Sequence, residues 1–390
     1  MGRAVFLLSL AAFASAASLR ATDPLLPLIA GEHGVTTGAA SAVVTAFALS
    51  YGLLQLVCGP LGDRYGRYRT IAVAAFVSAF GSAACALAPS LDMLVAARFV
   101  SGATMGAFIP LALAWIGDTV AYERRQPLLA RFLVGQMTGV AFGTAAAGWL
   151  GEHFGWRTIF FALAALLLVI AILLLAELRN PLVHSAGRGS FRESVQRMPG
   201  MLAQRRLRIL FAAGFTEGLF IFGALAFVAV HFQSRFALGP GVAGTLVAMY
   251  AAGGVLYALL ARRAVRLLGE RGLVTLGGVA LFVGYGGLAL ASSVAIGALC
   301  IAAVGAGFYM LHTTVQIHVT QVPAEERGSA VALFATFLFL GQASGVWLAA
   351  RVVDAAGVAP VFACAALGLG VLALMFRYVA FRYFLSAGGT

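Results

Sequence analysis

The feature that most constrains this chain is a succession of apolar runs, each long enough to cross a bilayer. They fall at about 4–30, 38–58, 71–88, 91–117, 127–150 and 157–176, then at about 209–232, 241–261, 273–291, 294–320, 328–350 and 358–380. A bilayer core takes about 20 apolar residues per helix, so a dozen spans use roughly 240 residues. The 390-residue chain accommodates that number with short connections. Backbone N–H and C=O groups have no water partner in hydrocarbon, so runs of this length are read as helices that satisfy their own hydrogen bonds. With 62% hydrophobic and 10% charged residues, the chain has too little polar surface for a soluble domain of this length. An all-α, multi-pass integral membrane protein is expected.

The charges are placed unevenly. The formal net charge is +12 and all 26 basic residues are arginine. This balance need not signal nucleic acid, and none is expected as a partner, because arginine-rich loops set orientation and favour an anionic lipid surface. The longest polar stretch, Glu177–Arg208, carries Arg179, Arg188, Arg192, Arg197, Arg205, Arg206 and Arg208. With Met1 in the cytoplasm and sides alternating, the cytoplasmic segments also receive Arg64, Arg67, Arg69, Arg124, Arg125, Arg131, Arg262, Arg263, Arg266, Arg271, Arg327, Arg377 and Arg382. The opposite side receives little beyond Arg157, Arg235 and Arg351. That asymmetry implies an even number of spans and two cytoplasmic termini in a cell inner (cytoplasmic) membrane. Met1–Ser18 imitates a signal peptide, but the apolar stretch resumes at Leu25–Ala30, so a retained first helix is the reading taken. Cys58, Cys85, Cys300 and Cys364 are too scattered for a metal spacing and read as packing residues.

The two sets of runs repeat. A shift of 202 residues lays Val120–Arg125 on Val322–Arg327, Phe132 on Phe334, Gly139 and Gly143 on Gly341 and Gly345, Gly155 on Gly357, and Gly52 on Gly254. Two six-helix bundles related by a pseudo-twofold axis are expected, over 1–178 and 209–390, joined by a cytoplasmic linker at 179–208. Repeats of this kind suit alternating access by rocking.

The sharpest local motif is Gly59-Pro-Leu-Gly-Asp-Arg-Tyr-Gly-Arg67, between the second and third runs. Its glycines permit a tight turn, and Asp63 sits among cations as a paired carboxylate. Gly59, Leu61, Gly62, Asp63, Arg64, Gly66 and Arg67 match, position by position, the signature loop that the segment resembles, that of the major facilitator superfamily. The match of spans, repeat and topology covers almost the whole chain. The resemblance implies the twelve-helix major facilitator fold, and a latch in which Asp63 meets the start of the eleventh helix, near Arg327–Ser329, in the outward-open state. It also implies a pairing of Asp118 with Arg67. The corresponding segment of the second half, Leu260–Arg271, keeps Gly269 but has no Asp in the matching place. Arg98-Phe-Val-Ser-Gly-Ala-Thr-Met-Gly106 resembles the arginine motif that the family associates with proton coupling; the alternative is an Arg98 that snorkels to the outer interface. Gly135, Gly139 and Gly143 resemble the glycine-rich fifth helix of antiporters without its proline, since Val140 follows Gly139. Helix packing explains them equally well.

Polar residues inside the runs complete the candidates. Asp23 lies three residues after Arg20, on the same helix face, beside Pro24 and Pro27; its alternative place is the outer water interface. Glu217 lies about ten residues into the seventh run, near mid-membrane, as a proton carrier or a structural acid. Tyr309, His312 and Gln316 share helical spacing and are cavity candidates, with Gln55 and Gln136 as further ones; a lone histidine is as readily structural. No phosphate-cradling loop, HExxH or paired-cysteine site appears, so no cofactor, no metal and no enzyme activity are expected. The leading function is secondary active transport of a small molecule, coupled to protons and directed outward, resembling the twelve-helix drug:proton antiporter branch, by a monomer in contact with lipid. The alternatives are proton-coupled import of a sugar, organic acid or other metabolite, and, in a different class, a membrane-embedded enzyme or receptor.

Overall fold

The structure is a computed structural model that describes residues 2–120, 122–180, 183, 191–323 and 326–380. Met1, Arg188, Arg382 and the carboxy-terminal end, which entered the charge survey, lie outside the described residues. So do the side chains of Arg124, Arg125, Arg131, Arg192 and Arg197. Among the described residues there is no β-strand. Among the described residues ten helical stretches are long and apolar enough to cross a membrane. One of them, Pro240–Leu290, runs 51 residues but contains Gly269 at φ 60°, a left-handed backbone that breaks it into two helices. Tyr122–Phe154, 33 residues long, is a further helix of sufficient length, diluted by glycine and threonine. In chain order the long helices among the described residues are α1 (Gly2–His33), α2 (Thr37–Tyr65), α3 (Arg67–Leu87), α4 (Leu91–Thr119), α5 (Tyr122–Phe154), α6 (Arg157–Glu177) and α7 (Arg205–Phe236). They continue as α8 (240–268), α9 (270–290), α10 (Val294–Val319), α11 (Arg327–Ala356) and α12 (Ala359–Tyr378).

Helix packing follows the register seen in the sequence. In the first half α1 packs on α5, α2 on α4, and α3 on α6; in the second, α7 packs on α11, α8 on α10, and α9 on α12. Between the halves, α2 meets α11 and α8 meets α5. The same register governs individual contacts. A Cβ at Gly139 would strike the backbone of Phe13, and one at Gly341 would strike that of Phe215. Gly143 stands likewise against Ala17, and Gly345 against Leu219. Without a hydrophobic drive between helices in lipid, such close backbone approach is the main source of association, which is why these positions are glycine. The glycines of the fifth helix thus pack it onto α1.

Sequence boundaries shift in two places. The segment 179–208 is not all linker: α7 starts at Arg205, so Arg205, Arg206 and Arg208 occupy its first turn, and Phe191–Ala203 forms a helix of its own. That helix packs against α2, α7 and α11, with Met201 fully buried. The signature segment is mostly helix. α2 continues to Tyr65 and α3 begins at Arg67, so the connection is the single residue Gly66 at φ 88°. Gly269 makes the equivalent joint between α8 and α9. Both need a backbone that L side chains rarely adopt.

Candidate functional site

The first half brings three of the candidate charges together around a break in α1. Its regular helix ends at Arg20, a 3₁₀ turn spans Asp23–Leu25, and helix resumes at Leu26. Pro24 and Pro27 supply no N–H, which frees carbonyls one turn back. Arg20 Nη1 donates to Asp23 Oδ2 at 3.0 Å, with both side chains buried. Asp23 is thus an interior acid with an arginine partner, not a residue of the outer water interface. The Arg20 guanidinium also lies 5.0 Å over the ring of Phe222 in α7. From the same helix Gln233 Nε2 donates to the Pro24 carbonyl at 2.9 Å.

Arg98 does not snorkel. It is 1% exposed, donates from both terminal nitrogens to the Ser18 carbonyl at 3.1 Å, and stacks 4.0 Å over Phe47. Its Nε reaches the Val43 carbonyl at 3.4 Å. It therefore ties α1, α2 and α4 through backbone oxygens, and it has no hydrogen bond to Asp23 among those the structure describes.

The second half holds the other acid. α7 passes through a π-turn at Gly218–Phe222, and Tyr285 of α9 donates to the freed Ile221 carbonyl. Glu217, at the entrance to that turn, is fully buried, and its Oε2 meets His312 Nδ1 of α10 at 2.8 Å. Glu217 Oε1 has no partner among the described residues. The imidazole stacks on Phe308 at 4.7 Å and leans on Phe334 at 5.4 Å. Tyr309 continues the aromatic wall, 5.0 Å from Phe308 and 6.3 Å from Tyr250, whose hydroxyl is buried without a partner among the described residues. Of the other cavity candidates, Gln55 is buried on α2, Gln136 is half-buried on α5, and Gln316 is exposed, apart from the His312 cluster.

Beside this cluster lies an apolar groove between the halves. A cavity of about 520 Å³ opens in the seam of α5 and α8, lined by Met137, Thr138, Ala141, Met249, Ala252 and Val255. Gly254 borders it, against Tyr309 on one side and Met137 on the other. The seam is thus one side chain away from the aromatic wall around His312.

The signature residues form a compact ion-pair group inside the first half. Arg67 Nη2 donates to Asp63 Oδ1 at 2.9 Å and Nη1 to Asp118 Oδ2 at 2.5 Å. Gly62 packs against Leu111 of α4. Arg64 lies over the ring of Tyr65; Gly59 faces open space and Leu61 is half-buried. Among the described residues Asp63 is hydrogen-bonded to Arg67, and the contact with Arg327–Ser329 is the one expected of the outward-open state. Arg327 Nε donates to the Thr320 carbonyl instead.

At the opposite end of the helices the halves are joined at two corners. Asp354, near the end of α11, accepts from Thr36 Oγ1 at 2.7 Å and from the Gly38 N–H at 2.9 Å, where α2 begins. Glu152, near the end of α5, accepts from the Gly241 N–H at 2.8 Å, where α8 begins. Sequence reasoning singled out neither acid, although the 202-residue shift lays Glu152 on Asp354. It also missed Ser18 and Phe222, which carry no charge to attract notice.

Comparison with known proteins agrees with this architecture. The family model of the Major Facilitator Superfamily matches residues 8–346. An uncharacterized MFS-type transporter YwfA of Bacillus subtilis is 26% identical over 254 residues, covering 63% of this chain and 60% of the relative. The multidrug export protein EmrB of Haemophilus influenzae is 29% identical over 154 residues, 40% of this chain and 30% of that protein. The chain thus matches about a third to three-fifths of the length of these curated relatives. The crystal structure of the nucleoside transporter NupG superposes with a TM-score of 0.76 at 15% identity, over 96% of this chain and 98% of that one.

Proposed function

The chain belongs to the Major Facilitator Superfamily, and from that premise we propose that it moves a small molecule by alternating access, driven by protons and directed outward. The observation that carries the coupling is the Glu217–His312 pair. A fully buried carboxyl with one oxygen on an imidazole and the other unpartnered among the described residues has two low-cost states. It is neutral when it holds a proton, and ionised when His312 or an arriving cation balances it. The likeness to the multidrug export protein EmrB supports the outward direction.

In this reading Asp23 and Arg20 form the companion pair at the break of α1, able to exchange partners as the halves move. Arg98 sets the geometry of that break from α4. Tyr309, Gln55 and Gln136 face the solute path. The arginine asymmetry supports a cell inner membrane location with both ends in the cytoplasm. The test is flux of a lipophilic cationic dye in proteoliposomes, with and without an imposed pH gradient. Gradient-driven accumulation by the wild type supports the reading, and equal flux with and without the gradient rejects proton coupling.

A further inference from the structure

The two corner carboxylates are related by the same register as the halves. Glu152 shifted by 202 is Asp354, and Gly38 shifted by 202 is Pro240, next to Gly241. Each acid stands near the end of a helix in one half and accepts from the backbone N–H of a buried glycine at the start of a helix in the other half. The first N–H groups of a helix have no intrahelical acceptor, so a carboxylate from across the interface completes them. The backbones beneath the acids are in matching contact. A Cβ at Gly38 would strike the Ala350 carbonyl, and a Cβ at Gly148 would strike the Pro240 carbonyl. Ala350 is the 202-shifted counterpart of Gly148. Glycine at Gly239 and Gly241 likewise leaves room for the Glu152 carboxylate. Both corners lie at the end of the bundle away from Asp63, Arg67 and Asp118.

We propose that Glu152 and Asp354 are paired gating residues. Each bridges the two halves at one corner, and together they hold closed the end of the solute path opposite the signature segment. The inference rests on the alternating-access reading given above. In the cycle, opening this end requires both carboxylates to leave their N–H donors for water. Neither touches solute, so each acts by positioning the helices. The two contacts are lost together because the halves rock as bodies. A substrate that favours the closed end has to supply less, and one that favours the open end has to supply more, by the free energy of the two corners.

The experiment is pulsed electron spin distance measurement in nanodiscs. Spin labels sit at Ala39 and Ala355 for this end and at Tyr65 and Gly328 for the other. The background carries Ser in place of Cys58, Cys85, Cys300 and Cys364. Wild type, Glu152→Ala, Asp354→Ala, the double Ala variant and Glu152→Gln with Asp354→Asn are compared. Loss of a partly exposed charge-assisted hydrogen bond is expected to move the closed-to-open ratio about three- to tenfold per corner. The double Ala variant is expected to shift the Ala39–Ala355 distances toward the longer population and the Tyr65–Gly328 distances toward the shorter one. The amide pair, which still accepts from the N–H groups, is expected to restore most of the closed population. A merely structural role would lower thermal stability in all variants without moving the two distances in opposite directions. If the wild type populates two states and the double Ala variant leaves their ratio unchanged, the gate is wrong and alternating access stands. If no variant or condition populates a second state, alternating access fails and the gate fails with it.

Discussion

Glu217 and His312 are 95 positions apart and meet through one hydrogen bond. The depth of Glu217 is readable from the chain, because a lone acid about ten residues into an apolar run has few places to go. Its partner is not readable, because the spacing of Tyr309, His312 and Gln316 gives a helix face but not the helix that face meets. Arg98 misleads in the opposite way: a buried guanidinium suggests an acid, and the structure supplies the Ser18 carbonyl. Glu217→Gln is expected to abolish gradient-driven flux while solute exchange without a gradient persists in part; proteoliposome transport under both conditions checks it. His312→Ala is expected to destabilise the wild type more than the Glu217→Gln background. The coupling is of order 1–3 kcal/mol in a double-mutant thermal-unfolding cycle. Additive losses would mean that the hydrogen bond contributes nothing of its own. Arg98→Met keeps volume and removes a buried cation, and helix carbonyls keep their own N–H donors. Folding stability in detergent is expected within about 1 kcal/mol of wild type, with transport lost.

At the level of helices, the apolar runs are a good guide to number and a poor guide to extent. A helix does not stop where hydrocarbon stops, so α2 carries Asp63 and Arg64 within its last turn and leaves only Gly66 as a connection. The polar composition of Glu177–Arg208 hides the helix at Phe191–Ala203, because one buried stripe is enough to seat an amphipathic helix on a bundle. Interhelical glycines show in the sequence as a repeat, but which neighbour they admit shows only in three dimensions. Gly139→Leu and Gly341→Leu are expected to be alike, each forcing α1 from α5 or α7 from α11. The cost is about 1–3 kcal/mol or more of stability, read as a fall in the thermal midpoint of the detergent-solubilised protein. Gly117→Ala, with nothing within 4 Å of the added Cβ, is the matched control. It is expected to be neutral or to stabilise by up to about 1 kcal/mol through helix propensity. A fall in the control as large as in the other two would show that the contacts are not the cause.

For the molecule as a whole, this state is closed at the Glu152 and Asp354 corners. Asp63 is accordingly engaged with Arg67 and not with the start of α11. If that carboxylate stabilises the opposite state by meeting the α11 terminus, Asp63→Asn is expected to raise the population of the present state about three- to tenfold. Turnover should slow and membrane insertion should stay normal. Labelling rates of single cysteines on either side of the membrane, in an otherwise cysteine-free chain, check it; unchanged rates would remove the latch. The shared register of contacts has a hereditary consequence. A gene encoding six helices, copied in tandem, accounts for Phe13 and Phe215 lying under equivalent glycines and for Glu152 and Asp354 holding equivalent corners. In a dimer of two identical six-helix chains the two corners would be one residue, and every substitution would strike both at once. Within one chain the two corners can change separately, and Glu152 is longer than Asp354 by one methylene.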